Sequence, residues 1–156
     1  MRPYRAAPPP GLGEILSGQW TEAGAEACGA GVQEALAGFL RLHLEFLAAR
    51  PEVGEALYAG PPDDESGAHD AAVRDLFKPV LVAVEGAVER AKGEGLFPAD
   101  LDPAMAALHY LGVIQMSFVF WNMRGRSESL PEIGRGLLGQ LLGSLSGGDR
   151  PPGQAG

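Results

Sequence analysis

Cysteine is almost absent from this chain of 156 residues, in which Cys28 stands alone. A single cysteine can form no disulfide within the chain and no CxxC pair, a usage typical of the reducing cytosol. The N-terminus has Arg2 and Arg5, but a run of three prolines and Gly11 stand where a signal peptide would need its apolar stretch. The sequence therefore predicts a cytoplasmic protein.

Positive charge is also scarce. Lysine and arginine together number 12, against 20 aspartate and glutamate residues, which gives a net charge of −8. The basic residues are scattered along the chain, whereas binding to a phosphate backbone needs a basic patch. We therefore expect no direct nucleic-acid binding by this chain.

Groups of catalytic or metal-ligating residues are missing as well. The histidines, His43, His69 and His109, lie far apart and in no HExxH spacing. No serine stands in a G-x-S-x-G context, and no phosphate-binding glycine loop precedes a helix. The acidic stretch 63–70 offers oxygen ligands for a divalent ion, but we favour a solvated surface loop. The sequence predicts no enzyme, no cofactor and no metal site.

Apolar residues are plentiful, at 46% of the chain, and they recur with helical spacing nearly everywhere. This pattern predicts an all-α protein, a bundle of about five to six helices. Glycine and proline cluster at both ends of the chain, as in flexible tails. We predict a flexible or weakly helical segment over 1–32, a helical domain over 33–146 and a disordered tail over 147–156.

Several helix boundaries have recognisable signals. The predicted helices span 33–49, 51–59, 71–92, 103–123 and 129–145. Pro79 lies within the third of these helices and is expected to kink or restart it. Asp102 and Pro103 form the clearest start signal, an N-cap acceptor followed by a residue with helical φ. Ser129 and Glu132 have the spacing of a capping box.

The segment 103–123 carries no charge and is long enough to cross a bilayer. Four polar residues argue against a membrane span, because each would need a partner in lipid: His109, Gln115, Ser117 and Asn122. A helix buried between two subunits explains the same pattern, and we favour it. We expect no association with a membrane.

Three stretches from Leu36 onward carry a family resemblance. FLRLHLEFLAARPEV (39–53) ends a helix at an Arg-Pro step, and AKGEGLFPADLDPAMAALHYLGVIQ (91–115) joins a Gly-Glu-Gly-x-Phe turn to Asp-x-Asp-Pro and a long apolar helix. With the ending SLPEIGRGLLGQLLGSLSG, they resemble the C-terminal ligand-binding and dimerisation domain of tetracycline-repressor (TetR) type regulators. Members of that family carry an N-terminal helix-turn-helix, for which residues 1–32 lack the length, charge and pattern. We expect the chain to lack its own DNA-binding domain.

The resemblance implies that the last two helices pair with their twofold mates in a homodimer and that the preceding helices enclose a mostly apolar effector pocket. The expected ligand-binding residues are Phe39, His43, Phe46, Phe77, His109, Gln115 and Met116. The expected interface residues are Phe118, Trp121, Leu137, Leu138, Leu141, Leu142, Gly139 and Gly143. Gly139, Gly143 and Gly147 recur every four residues, which indicates either close approach of another helix or a glycine-rich genome.

The expected function is that of an effector-binding and dimerisation domain of a TetR-like regulator, which senses a small hydrophobic ligand. The alternative is a non-catalytic helical interaction protein that forms homo- or heterodimers and binds no ligand. His43 and His109 lie on the apolar sides of their helices, where a ligand oxygen is one possible partner. A neighbouring side chain or backbone carbonyl is the partner that we favour, because buried polar groups are consistently paired.

Overall fold

A computed structural model describes residues 11–26, 31–58 and 67–145 of the chain. Within these residues the protein is all-α and has no strand, which confirms the predicted fold class. The helices are α1 (Leu12–Glu26), α2 (Val32–Ala49), α3 (Pro51–Tyr58), α4 (Ala68–Gly93), α5 (Pro103–Met123) and α6 (Leu130–Leu145).

Helix α1 belongs to the same core as the helices that follow it. Leu12 and Leu16 are buried, and α1 packs on α2 and α4. The sequence placed the start of the domain at residue 33, because few apolar residues mark α1 and its glycines weaken the helical signal. Small residues allow α1 to lie close to α2, since a Cβ on Gly38 of α2 would lie 3.2 Å from the Cβ of Ala23 in α1. The two helices therefore pack closely.

Helix α2 crosses the middle of the core. Its buried residues, at the spacing of one helix face, are Leu36, Phe39, Leu40, His43, Leu44 and Leu47. Arg50 is the C-cap of this helix, and its backbone N–H donates to the carbonyl of Phe46. Pro51 starts α3 at once, because the first helical turn needs no donor from its N–H.

Helix α4 runs through Pro79 as one element, so it does not restart there. Proline removes the N–H that would bond to the carbonyl of Asp75. Both residues are exposed, so water can satisfy that carbonyl. The turn after α4 buries Phe97 and leads to Asp102, whose Oδ1 accepts from the backbone N–H of Ala104 at 3.0 Å as the N-cap of α5.

A tight corner joins α5 to α6. Gly125 and Arg126 both have positive φ, at 67° and 60°. The indole Nε1 of Trp121 donates to the carbonyl of Glu128 at 2.9 Å, and the guanidinium of Arg126 lies over the indole ring. These contacts set the direction in which α6 returns along α5 and α2.

Among the described residues, α5 is the one helix that is long and apolar enough to cross a membrane, with a mean hydropathy of 1.4. A core helix of a soluble protein passes the same test, and 39% of the apolar window is buried inside this chain. The buried side includes Tyr110, Ile114 and Phe118. No other described residue of the chain covers the opposite side of α5.

Candidate functional site

A histidine lies at the centre of the core. His43 of α2 is 0% exposed, and both of its ring nitrogens have a partner. Nδ1 lies 3.2 Å from Oε1 of Gln19 in α1, and Nε2 lies 3.1 Å from the hydroxyl of Tyr58 in α3. Because an amide oxygen only accepts, Nδ1 carries the proton and the Tyr58 hydroxyl donates to Nε2. We call these three side chains the buried polar network.

The buried polar network is uncharged. Burial lowers the pKa of His43 from 6.5 to about 4, so the imidazole is neutral at neutral pH. Burial also raises the pKa of Tyr58 above its usual value. Every buried side-chain nitrogen and oxygen in the described part of the chain has a hydrogen-bond partner. The three side chains of the network therefore form a chain of uncharged hydrogen-bond donors and acceptors.

Aromatic rings surround the imidazole. The ring of Phe39 lies parallel to that of His43, with centroids 5.8 Å apart, and the ring of Phe77 in α4 lies perpendicular to the imidazole, with centroids 6.4 Å apart. The ring of Tyr58 lies 6.1 Å from Phe77 and 5.9 Å from Phe118 of α5. Side chains of α2, α3, α4 and α5 thus pack around His43 and Tyr58, in a core that is mainly apolar.

The predicted ligand-binding residues fall into two groups. Phe39, His43 and Phe77 lie together in the core, and Phe46 is half-buried on α2 with the guanidinium of Arg50 5.9 Å from its ring. The other three are exposed on the outer side of α5, away from the imidazole, and they are His109, Gln115 and Met116. A helix that is apolar all round has no amphipathic period, so the sequence left the inward side of α5 undetermined.

The uncovered side of α5 is mainly apolar, with His109 and Gln115 as its two exposed polar residues. Its exposed residues recur at helical spacing and are Met105, Leu108, His109, Gln115, Met116, Phe120 and Met123, with half-buried Gly112 among them. We call this surface the outer α5 face. Met116 is 54% exposed and Met123 is 78% exposed. Large apolar side chains at this density are uncommon on a surface that stays in water.

The predicted interface residues also divide by burial. Phe118, Trp121 and Leu138 are buried inside the single chain. Those that reach the surface are half-buried Leu137, Leu141 and Leu142, and exposed Gly139 and Gly143. A Cβ added at either glycine would meet no atom within 4 Å, so packing inside the described chain does not require glycine there.

Sequence reasoning did not find three polar residues of the core. Gln19 lies in α1, and Tyr58 lies near the end of α3. Tyr110 of α5 donates from its hydroxyl to the carbonyl of Leu36 at 2.5 Å. A tyrosine on the inward side of a predicted helix is a usable signal, because its hydroxyl needs a partner when it is buried. No local pattern could pair Gln19 with His43.

A cavity of about 560 Å³ lies elsewhere, between α2 and the start of α6. Its wall carries charged residues, and two ion pairs lie within it, Arg41 with Glu45 at 3.1 Å and Arg135 with Glu132 at 2.5 Å. Most of its lining surface is nevertheless apolar, but none of the predicted ligand-binding residues lines it.

In the described ranges no three histidine, cysteine, aspartate or glutamate side chains come together as metal ligands. Cys28 and the acidic residues 63–65 lie outside those ranges, and the side chains of His69 and Asp70 are likewise not described.

No protein-family model and no curated protein matches this chain in sequence. Solved structures with this fold include two regulators. The fatty acid degradation regulator FadR from Bacillus halodurans matches with a TM-score of 0.72 and 18% identity, over 86% of this chain and 69% of that one. The transcriptional regulator FadR from Bacillus subtilis, crystallised in complex with stearoyl-CoA, matches with a TM-score of 0.71 and 16% identity, over 84% and 70%. At these identities the likeness establishes the fold.

Proposed function

We propose that this chain is the effector-binding and dimerisation domain of a TetR-like transcriptional regulator in the cytoplasm, and that its effector is a small hydrophobic molecule. The buried polar network carries the proposal. Small-molecule sites are mostly apolar and contain a few placed polar groups, which is the composition found around His43. The fold shared with two FadR regulators supports this proposal.

A core that only has to pack does not need this network. Replacing both members of a buried hydrogen-bonded pair by apolar groups of the same shape can be nearly neutral for stability. A polar group in an apolar site is useful where a ligand must be oriented, because it binds the polar end of the ligand and leaves the apolar end to the surrounding side chains. Because the B. subtilis regulator was crystallised with stearoyl-CoA, a long acyl chain is the first ligand class to test.

The outer α5 face supports the dimer. A second copy that covers this face would remove a row of large apolar side chains from water, and α5 carries no charge that would oppose it. The open space at Gly139 and Gly143 would let a neighbouring helix approach the backbone of α6. A partner on this face also accounts for the apolar length of α5 without a membrane.

We assign no DNA contact to the described helices. Six basic residues of the described ranges form ion pairs with glutamates of the same chain, namely Arg41, Arg50, Lys92, Arg124, Arg126 and Arg135. Binding to phosphates needs clustered and available positive charge.

A second candidate is the interaction protein that binds no ligand. One observation favours it, since the buried polar atoms of the described residues are already satisfied without a ligand. The two candidates differ in how they respond to small molecules, because an effector that binds only the folded state raises the melting temperature.

Native mass spectrometry of the purified protein, with thermal unfolding in parallel, tests the proposal. We expect a homodimer that retains a cellular molecule or takes up stearoyl-CoA, with coenzyme A alone as the matched control. At a ligand concentration of 100 times Kd the stabilisation is roughly 2.7 kcal/mol. A dimer that neither retains nor takes up any ligand would favour the interaction protein, and a monomer without ligand would overturn both parts of the proposal.

A further inference from the structure

Gln19 is the member of the buried polar network that solvent reaches. Its side chain is half-buried, whereas His43 and Tyr58 are both buried. Apart from His43, Gln19 bonds to the carbonyl of Leu42, with Nε2 at 3.5 Å, the outer limit for a hydrogen bond. Tyr58 is packed against the rings of neighbouring helices. Of the two partners of His43, Gln19 is therefore the easier one to displace.

Helix α1, which carries Gln19, contains features that favour local opening. Gly18 lies in its interior, where glycine costs a helix about 0.8–1.0 kcal/mol relative to alanine, and Gly24 lies in its last turn. A Cβ on either glycine would meet nothing within 4 Å, so neither is needed for packing inside the described chain. Elements with low local stability are the ones that open to admit ligands.

We propose that the effector enters beneath α1 and that an uncharged hydrogen-bond acceptor of the effector replaces Oε1 of Gln19 at Nδ1 of His43. The carbonyl oxygen of an acyl thioester, ester or amide has this chemistry. The apolar part of the molecule then lies among the aromatic rings of Trp20, Phe39 and Phe77. This inference rests on the proposed effector function. It adds that the polar group of the ligand is uncharged and that the ligand displaces Gln19.

The surroundings of His43 select against an ionised ligand. Among the described residues, the side chains that bond to the imidazole or pack a ring against it are Gln19, Tyr58, Phe39 and Phe77, and none of them carries a positive charge. Burial holds the pKa of His43 low, so the imidazole itself supplies no counter-charge. An ionised carboxylate would lose its hydration without a partner charge, which is unfavourable. A neutral carbonyl needs only the single N–H that Nδ1 provides.

Calorimetric titration with dodecanamide and dodecanoate tests the ligand chemistry, because these probes have equal chain length and differ in terminal charge. At pH 7.5 we expect the amide to bind at least about tenfold more tightly, a difference near 1.4 kcal/mol. Equal affinities, or tighter binding of dodecanoate, would overturn the inference and leave the effector function standing. Failure of both probes to bind would also overturn it, whereas the effector function is judged separately by retained ligand and by stearoyl-CoA.

The variant Gln19→Leu tests the displacement. It removes the group that competes with the ligand and leaves Nδ1–H unpaired in the free protein, so the melting temperature should fall while dodecanamide binds about fivefold more tightly. Gln33→Leu makes the same chemical change at an exposed site of α2 and should change neither quantity. An affinity for dodecanamide that falls, or that stays at the Gln33→Leu value, would show that Gln19 is not displaced.

A measurement on the wild-type protein keeps the test independent of how the variant folds. In ¹⁵N NMR spectra, dodecanamide should shift the Nδ1 resonance of His43, because its acceptor changes. The Nε2 resonance should change less, since Tyr58 keeps its bond. An unchanged Nδ1 resonance at saturating amide would contradict the proposal.

Discussion

The ring of Phe118 in α5 lies directly against the backbone of Gly54 in α3, where a Cβ would overlap the ring. Helix α3 has 8 residues, and this contact lets it lie close to α5. Tyr58 lies one helical turn further along α3 and packs against the same ring at 5.9 Å. The glycine therefore helps to place the hydroxyl that bonds to His43.

Gly54→Ala should lower the free energy of unfolding by about 1–3 kcal/mol, the usual cost of overpacking a core. Gly86→Ala is the matched control in α4, since its added Cβ would have only ordinary contact with Arg90 at 3.6 Å. Alanine there should be neutral or stabilise by up to about 1 kcal/mol, because it favours the helix. Urea denaturation of both variants measures these changes, and equal results would contradict the close approach of α3 to α5.

Stability should fall on acidification because of His43. Its pKa lies at about 4 in the folded protein and at 6.5 as the reference value, so between these pH values the unfolded state binds more protons. The contribution of His43 is fully present above pH 6.5 and is lost as the pH falls towards 4, by about 3 kcal/mol in total. Below that pH it changes no further.

His43→Leu isolates this contribution, because carboxylates elsewhere titrate equally in both proteins. The wild type should lose about 3 kcal/mol more than the variant between pH 6.5 and 4 in urea denaturation. Parallel pH profiles for the two proteins would mean that His43 titrates normally and is not enclosed.

Loss of the Tyr58 hydroxyl should lower the free energy of unfolding more than loss of the Tyr110 hydroxyl. Tyr58→Phe leaves Nε2 of His43 as a buried acceptor without a donor, which should cost about 1–3 kcal/mol. Tyr110→Phe removes the bond to the carbonyl of Leu36, but that carbonyl lies inside α2 and keeps its helical partner, so the cost should be nearer about 1 kcal/mol. Chemical denaturation compares the two, and a larger loss for Tyr110→Phe would contradict the role given to the Tyr58 hydroxyl.

A charge on the outer α5 face should disrupt the proposed dimer. Met116→Glu places a carboxylate in the middle of this face, and across a twofold axis two of them would be brought together, so the dissociation constant should rise on the order of 100-fold or more. Val82→Glu is the control, because Val82 is 60% exposed on α4 and Met116 is 54% exposed. Sedimentation velocity should show a monomer for Met116→Glu and a dimer for Val82→Glu. Identical behaviour of the two variants would remove this face from the interface.

The predicted span 103–123 coincides with α5, because its start signal is local. The side chain of Asp102 reaches a backbone N–H two residues away, and proline after it has helical φ in any context. Helix α1 shows the opposite case. Its own residues predict a weak helix, and its burial depends on the fit of Ala23 against Gly38, which is far away in sequence.

The amino-acid sequence by itself determined that this protein is helical and, to within three residues, where its main helices begin and end, because caps, prolines and apolar spacing act within one or two turns. Only the tertiary structure decided which side of α5 faces inward, since a helix with apolar residues on all sides has no amphipathic pattern that marks its buried face. It also brought Gln19 and Tyr58 to the two nitrogens of His43. Their positions depend on the packing of α1 and α3 against α2, and long-range contacts of that kind have no local signal.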